Sequence, residues 1–144
     1  MYDIREIDYF SDEYQMTLEL RNEVMRKPIG LNIYDQDFTH EQHSFILGAF
    51  YNGELHGVGV LGQEGTEFTV EYLCVDTRIQ SKGLGGILLQ KLEQVAREKQ
   101  GTKIGMDARA SAAEFYKKHG YSEFGEVFLM DVAPVDHIRM EKKL

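Results

Sequence analysis

Gln80, Ser81, Lys82, Gly83, Leu84, Gly85 and Gly86 carry the clearest chemical signal in this chain. They lie between an apolar, strand-like run at 70–75 and an amphipathic stretch at 87–97. A glycine-rich turn that leaves a strand and opens a helix aims several backbone N–H groups at one point, where the helix dipole adds about half a positive charge. Such a turn is a cradle for phosphate. Spacing narrows which phosphate: a dinucleotide-binding turn requires G-x-G-x-x-G, but after Gly83 and Gly85 the third place is Leu88, and no acidic residue about 20 residues on closes a parallel βαβ unit. The P-loop string of Gly, four residues and Gly-Lys-Ser/Thr is absent as well.

The 144 residues suit one domain, expected to span 1–144, with a core large enough to need no disulfide or metal staple. Cys74 is the single cysteine and lies in an apolar run, so no internal disulfide can form. With no charged-then-apolar leader before Tyr2 and no run of membrane-spanning length, a cytoplasmic home and no membrane partner are expected. The net charge of −8 argues against nucleic acid, which needs a basic face to release counterions. An acidic surface suits a cationic acceptor such as a free amine, though it also serves solubility alone.

The elements that must position the turn follow from periodicity. Residues 2–7 alternate as a half-buried strand does. Ser11 reads as an N-cap before Asp12 and Glu13, and Tyr14, Leu18, Arg21 and Met25 recur at helical spacing until Pro28 stops the helix. Residues 29–43 are polar and irregular. Strands at 45–51 and 55–61 are joined by Asn52-Gly53, and a third at 68–75 follows the turn at Gly65, making an antiparallel meander. The helix from Gly83 carries Leu84, Ile87, Leu88, Leu92 and Val95 on one face and stops near Gly101. A strand at 103–107, a helix at 111–119 and a final hairpin of 121–131 with 137–142 complete the chain.

Gln80-x-x-Gly83-x-Gly85 resembles the acetyl-coenzyme A signature of the GNAT superfamily of N-acetyltransferases. Downstream, Phe115-Tyr116-Lys117-Lys118-His119-Gly120-Tyr121 resembles that family's second segment, in which a helix ends in Phe-Tyr-x-Lys-x-Gly-Phe/Tyr. Pro134-Val135-Asp136-His137-Ile138-Arg139-Met140 is similar to the closing strand of a small bacterial, ElaA-like subgroup, and the stretch from Leu20 to Leu31 is similar to its first helix and exit. The resemblance implies the order β-α-β-β-β-α-β-α-β-β, an α/β (α+β) domain on one mixed, twisted sheet of about seven strands with helices on both faces. It also implies acetyl-CoA as cosubstrate, no metal, and transfer of an acetyl group to an amine of a small molecule, peptide or protein by direct attack in a ternary complex. A homodimer is possible in such a family. A GNAT-fold protein that binds acyl-CoA without turnover is the alternative.

Roles for single residues come from the same resemblance. The backbone of Leu73, Cys74 and Val75 would pair with the pantetheine arm, one N–H facing the thioester oxygen. Lys82 and Arg78 either offset the phosphate charge or are solvated. Tyr116 is the expected general acid, since a phenol of pKa about 10 keeps its proton at neutral pH. Two bases compete: Glu71, expected to share a strand face with Leu73 and Val75, and His137, whose imidazole suits neutral pH. Cys74 is not expected to act as nucleophile, because direct transfer needs no acyl-enzyme. Asp35, Asp37, His40, Glu41 and His43 either line the acceptor mouth or form a solvated loop. Asp107 stands where many members have Asn, and a carboxylate cannot donate to a cofactor carbonyl as an amide can.

Overall fold

The computed structural model describes residues 1–80 and 82–144. Seven strands form one sheet in the order β1-β2-β3-β4-β5-β7-β6: β1 Asp3–Glu6, β2 Phe45–Tyr51, β3 Glu54–Glu64, β4 Glu67–Val75, β5 Lys103–Arg109, β6 Ser122–Leu129 and β7 Asp136–Lys143. All neighbours are antiparallel except β4 and β5. The helices are α1 Asp12–Arg21, α2 Leu84–Glu98 and α3 Ala113–Lys118. No helix among the described residues is long and apolar enough to cross a membrane.

Period-2 alternation divides the strand residues between two cores. Leu47, Ala49, Leu61 and Ile104 join the apolar stripe of α2, with Ala113 and Tyr116 of α3. Ile46, Phe50, Val58 and Val60 join Tyr14 and Leu18 of α1. Helices therefore cover both faces. On α2, Leu84, Leu88, Leu92 and Ala96 recur every fourth residue and are buried, each leucine worth about 1.5–3 kcal/mol of burial. The helix can settle this low because β3 has glycine beneath it. A Cβ at Gly57 would lie 2.8 Å from a Leu88 methyl, and one at Gly59 would lie 2.8 Å from a Leu92 methyl.

Two local departures from regular geometry shape the rest. The expected single helix up to Pro28 instead ends at Arg21, continues as a wider π turn Asn22–Arg26, and closes in a 3₁₀ turn Lys27–Ile29. Pro28 has no N–H to offer the carbonyl of Val24, and the chain widens so that Lys27 donates to Asn22. Ser11 does occupy the N-cap of α1, but its hydroxyl donates back to the Asp8 carbonyl at 2.6 Å. The second departure lies on β4. Leu61 pairs with Val70 and Val60 with Tyr72, so Glu71 is an unpaired extra residue, a β-bulge.

That bulge overturns the expected face of Glu71. Phe68 and Val70 face the α2 core, as Leu73 and Val75 do, whereas Tyr72 and Cys74 face the α1 core. Glu71 turns to the α1 side, where Ser44 Oγ donates to its carboxylate at 3.0 Å. The extra residue shifts the parity of the strand, and strict alternation fails across it.

Candidate active site

β4 and β5 run parallel through only three partner pairs, Glu67 with Lys103, Phe68 with Ile104 and Thr69 with Gly105. Beyond Thr69 the two strands part, while β5 stays paired to β7 along its whole length. The β4 edge from Val70 to Val75 therefore has no strand against it. A cleft of about 750 Å³ opens there. Glu71, Leu73, Gln80, Tyr116 and His137, five residues singled out in the sequence, all line it.

At one end stands the start of α2. Gly83 is its N-cap with φ +85°, a left-handed conformation that other residues adopt only under strain, and no side chain among the described residues caps the helix. The hydrogen-bond ladder begins with Ile87 N–H to Gly83 O at 3.1 Å, so the N–H groups of Leu84, Gly85 and Gly86 have no helical acceptor. Gln80 closes the turn onto the strand by donating from Nε2 to Val75 O at 3.1 Å. No atom of the described residues lies within 4 Å of a Cβ built on Gly83, so there is open space beside the start of the helix. The surroundings fit a diphosphate: uncapped N–H groups, a helix dipole and room.

The other residues of the turn and of the β4 edge meet different surroundings. Cys74 is 2% exposed and its thiol donates to Leu20 O at 3.8 Å on the α1 side, so only its backbone can reach the gap. Burial pushes that thiol up to about 12, which leaves it un-ionised. Leu84 is likewise a core side chain and offers only its N–H. Val75 packs toward the first turn of α2 near Gly85. Lys82 is exposed beside the turn, whereas Arg78 folds back onto Asp76 at 2.7 Å. Ser81 lies outside the described residues.

Tyr116 approaches from the α2 side. It is 7% exposed, packed edge-on against Phe115 and Tyr121 with centroids 5.1 and 5.7 Å away, and burial pushes its phenol up to about 12. No hydrogen bond engages its hydroxyl among the described residues, and the residue lines the cleft. His137 approaches from the other side, where it is the cross-strand partner of Arg109. Its Nδ1 lies 2.6 Å from Val135 O; a carbonyl can only accept, so Nδ1 is the donor in this contact.

The α1-side wall is what sequence patterns missed. Arg21 and Glu41 form a fully buried ion pair through two contacts of 2.8 Å. Tyr14 adds a hydroxyl to Glu41 at 2.6 Å and Thr17 accepts from Arg21 at 3.0 Å. Glu41 is thus neither a mouth residue nor a solvated one, while Asp37 and His40 line the cleft and Asp35 and His43 are exposed outside it. His40, Glu41 and Glu71 bring ligand atoms within 4.8 Å of one another, but both Glu41 oxygens are already engaged by Arg21 and Tyr14. In front of this pair, Arg26 donates to the Tyr72 hydroxyl at 2.6 Å, to Gln36 Oε1 at 2.7 Å and to Met25 O at 3.1 Å. Arg109 donates to the same Met25 oxygen. Asp107 also lines the cleft, 3.8 Å from Arg139. The one available signal for Arg26 was its place just before Pro28, where a helix has to distort.

Comparison with known proteins agrees with this geometry. The family model described as an acetyltransferase (GNAT) domain matches residues 13–144. Bacillus subtilis YyaT is 30% identical over 108 residues, 75% of this chain and 71% of that protein. Bacillus subtilis YjcF, an uncharacterized N-acetyltransferase, is 36% identical over 73 residues, so the match spans about half the length of each protein. Among solved structures, Escherichia coli ElaA shares the fold with a TM-score of 0.82 at 17% identity, over 99% of both chains. PaiA N-acetyltransferase from Thermoplasma acidophilum, solved in complex with coenzyme A, gives 0.76 at 18% identity over 100% and 99%. With its uncapped helix start beside two parted parallel strands, and with nearly the whole sequence matched by the family model, the chain belongs to the GNAT acetyltransferase family.

Proposed function

We propose that this chain is an acetyl-CoA-dependent N-acetyltransferase, a single catalytic domain over 1–144 acting in the cytoplasm, that acetylates an amine by direct attack in a ternary complex. One observation carries this reading: the gap between β4 and β5 has a proton donor on one side of the sheet and proton acceptors on the other. Acetyl-CoA would supply an activated acetyl group as a thioester. The N–H groups of Leu84, Gly85 and Gly86 would hold its diphosphate, with Gln80 fixing the turn and Lys82 nearby to offset charge. The free β4 edge at Leu73, Cys74 and Val75 would pair with the pantetheine arm and donate an N–H to the carbonyl oxygen.

Chemistry then needs two proton movements. As the amine nitrogen bonds to the carbonyl carbon, Glu71 takes the proton that nitrogen loses. As the carbon–sulfur bond breaks, Tyr116 gives its hydroxyl proton to the departing sulfur and recovers one from solvent. Burial suits Tyr116 to this: the phenol stays protonated throughout the physiological range, and the same apolar surroundings disfavour a free thiolate. Glu71 is preferred as base because it sits on β4 at the gap, whereas His137 lies on β7 with β5 between.

The test is acetyl-CoA-dependent thiol release across a panel of amines, with pH profiles of kcat/KM for Glu71→Gln and His137→Gln. The expected result is turnover whose acid limb disappears only in Glu71→Gln, once the amine's own ionisation is subtracted. Loss of the limb in His137→Gln would move the role there. Tight acetyl-CoA binding with no thiol release for any amine would favour a non-catalytic binding protein.

A further inference from the structure

Two guanidinium groups meet on the acceptor side of the cleft without an anion between them. Arg26 and Arg109 both donate to the carbonyl oxygen of Met25, one from the π turn after α1 and one from the end of β5. Neither has a carboxylate within ion-pair distance among the described residues, although acidic residues outnumber basic ones 24 to 16 in this chain. Arg5, Arg21, Arg78 and Arg139 all have one, and Arg97, which does not, is exposed to solvent on α2. Arg26 is 4% exposed, and Arg109 Nε is buried with no partner.

Burial, and after it the nearby charge of Arg26, pull the Arg109 guanidinium below its ordinary value. Two converging cations in a partly desolvated wall are unfavourable until an anion joins them. A carboxylate matches the planar donor fork of arginine, and charge-assisted bonds of this type are the strong ones. The pair cannot be assigned to the cofactor's diphosphate on geometry, because it stands on the α1 side of the sheet whereas the phosphate turn opens α2 on the opposite side.

The other charges around the cleft complete the pattern. Glu71 lines it with one side-chain hydrogen bond among the described residues, from Ser44. Asp37 accepts from the N–H of Thr39 at 2.9 Å, and Asp107 sits 3.8 Å from Arg139. Glu71 on β4 and the Arg26–Arg109 pair all line the cleft, so one site presents both a carboxylate and a pair of guanidinium groups. We propose that the acceptor is a small amine that also carries a carboxylate, an amino-acid-like molecule whose carboxylate is held between Arg26 and Arg109 while its amine faces Glu71; this rests on the acetyltransferase reading above. Arg26 and Arg109 are then specificity-determining residues.

The experiment measures thiol release with matched sets of acceptors: amino acids, their carboxamides and the corresponding decarboxylated amines. Wild-type protein should favour the acids by at least about tenfold in kcat/KM, the value of one good charge-assisted contact. Arg109→Gln should collapse that ratio to within about twofold, and Arg109→Lys, which keeps the charge and loses the fork, should retain part of it. Amides or decarboxylated amines used as well as acids, or a ratio that survives in Arg109→Gln, would overturn the proposal. A second arm needs no turnover: N-acetyl amino acids and N-acetyl amino acid amides are titrated by calorimetry into protein saturated with coenzyme A. Binding of the acids alone upholds the carboxylate site even if no amine is acetylated, which would count against the enzyme reading only. Equal binding of both, or binding of neither, overturns the site.

Discussion

The two sides of the β4–β5 gap are built by opposite means. On the α2 side the proposed site is made of backbone N–H groups and the Tyr116 phenol, backed by leucines that exclude water. On the α1 side the wall is made of charged side chains taken out of water and tied to one another, Arg21 to Glu41 and Arg26 to Tyr72. The first arrangement tolerates change wherever volume is kept, because apolar contacts are not directional. The second is demanding, since each buried polar atom left without its partner incurs a full desolvation penalty. A cofactor shared across a family suits the first, and an acceptor particular to one protein suits the second.

The largest effect should therefore come from unpairing the α1-side wall. Glu41→Gln leaves the Arg21 charge buried without its counter-ion and should cost about 3–5 kcal/mol in urea unfolding. Replacing both, Arg21→Met with Glu41→Leu, should recover most of that loss. If the single and double variants are equally destabilised, the contrast between the two sides fails.

On the α2 side, Tyr116→Phe preserves the packing and removes one proton. It should lower kcat by about 10²-fold with acetyl-CoA affinity unchanged, as for an interaction made only in the transition state. An unchanged kcat with chemistry rate-limiting would make Tyr116 a packing residue.

Burial on the two sides also predicts alkaline behaviour. Tyr116, in the α2 core, is pushed up to about 12 from an ordinary 10.0, and Cys74, in the α1 core, to about 12 from 9.0. Each holds its proton more tightly folded than unfolded, so the stability it contributes is full below the unfolded value and is lost as pH rises toward the folded one. Unfolding free energy should fall by a few kcal/mol between about pH 9 and 12. Tyr116→Phe should make the fall shallower above about pH 10. A slope unaltered by this variant would mean that the phenol titrates normally.

The smallest effect belongs to the turn. Gly83→Val meets no atom within 4 Å, so its penalty comes from the +85° φ and not from a clash. It should weaken acetyl-CoA about tenfold by distorting the start of α2, with calorimetry as the check. An undiminished affinity would remove the turn from the binding site.

The same division explains what could be read in advance. Strand and helix order and the glycine turn that opens α2 depend on local periodicity and glycine spacing and were legible; the α2 stripe was legible in part, since Ile87 is exposed and Leu89 is buried instead. The face of Glu71 was not legible, because Glu71 is itself the single extra residue opposite Val60 and Leu61, which reverses parity and leaves no mark on composition. Arg21 appeared as one more position on an apolar helical face. Its partner Glu41 stands 20 residues on, in a segment of 3₁₀ turns with no period to follow, so only the fold brings the two together. Arg26 and Arg109 were missed for the same reason, being 83 residues apart and joined through one carbonyl of a π turn that sequence patterns read as helix.

The most direct test of the gap between β4 and β5 is a crystal structure of the protein with acetyl-CoA. The expected result is a pantetheine arm lying along the free edge of β4 beyond Thr69, diphosphate on the N–H groups of Leu84, Gly85 and Gly86, and the thioester sulfur within hydrogen-bond reach of the Tyr116 hydroxyl. An arm bound elsewhere, or a sulfur remote from Tyr116 with the gap left empty, would contradict it.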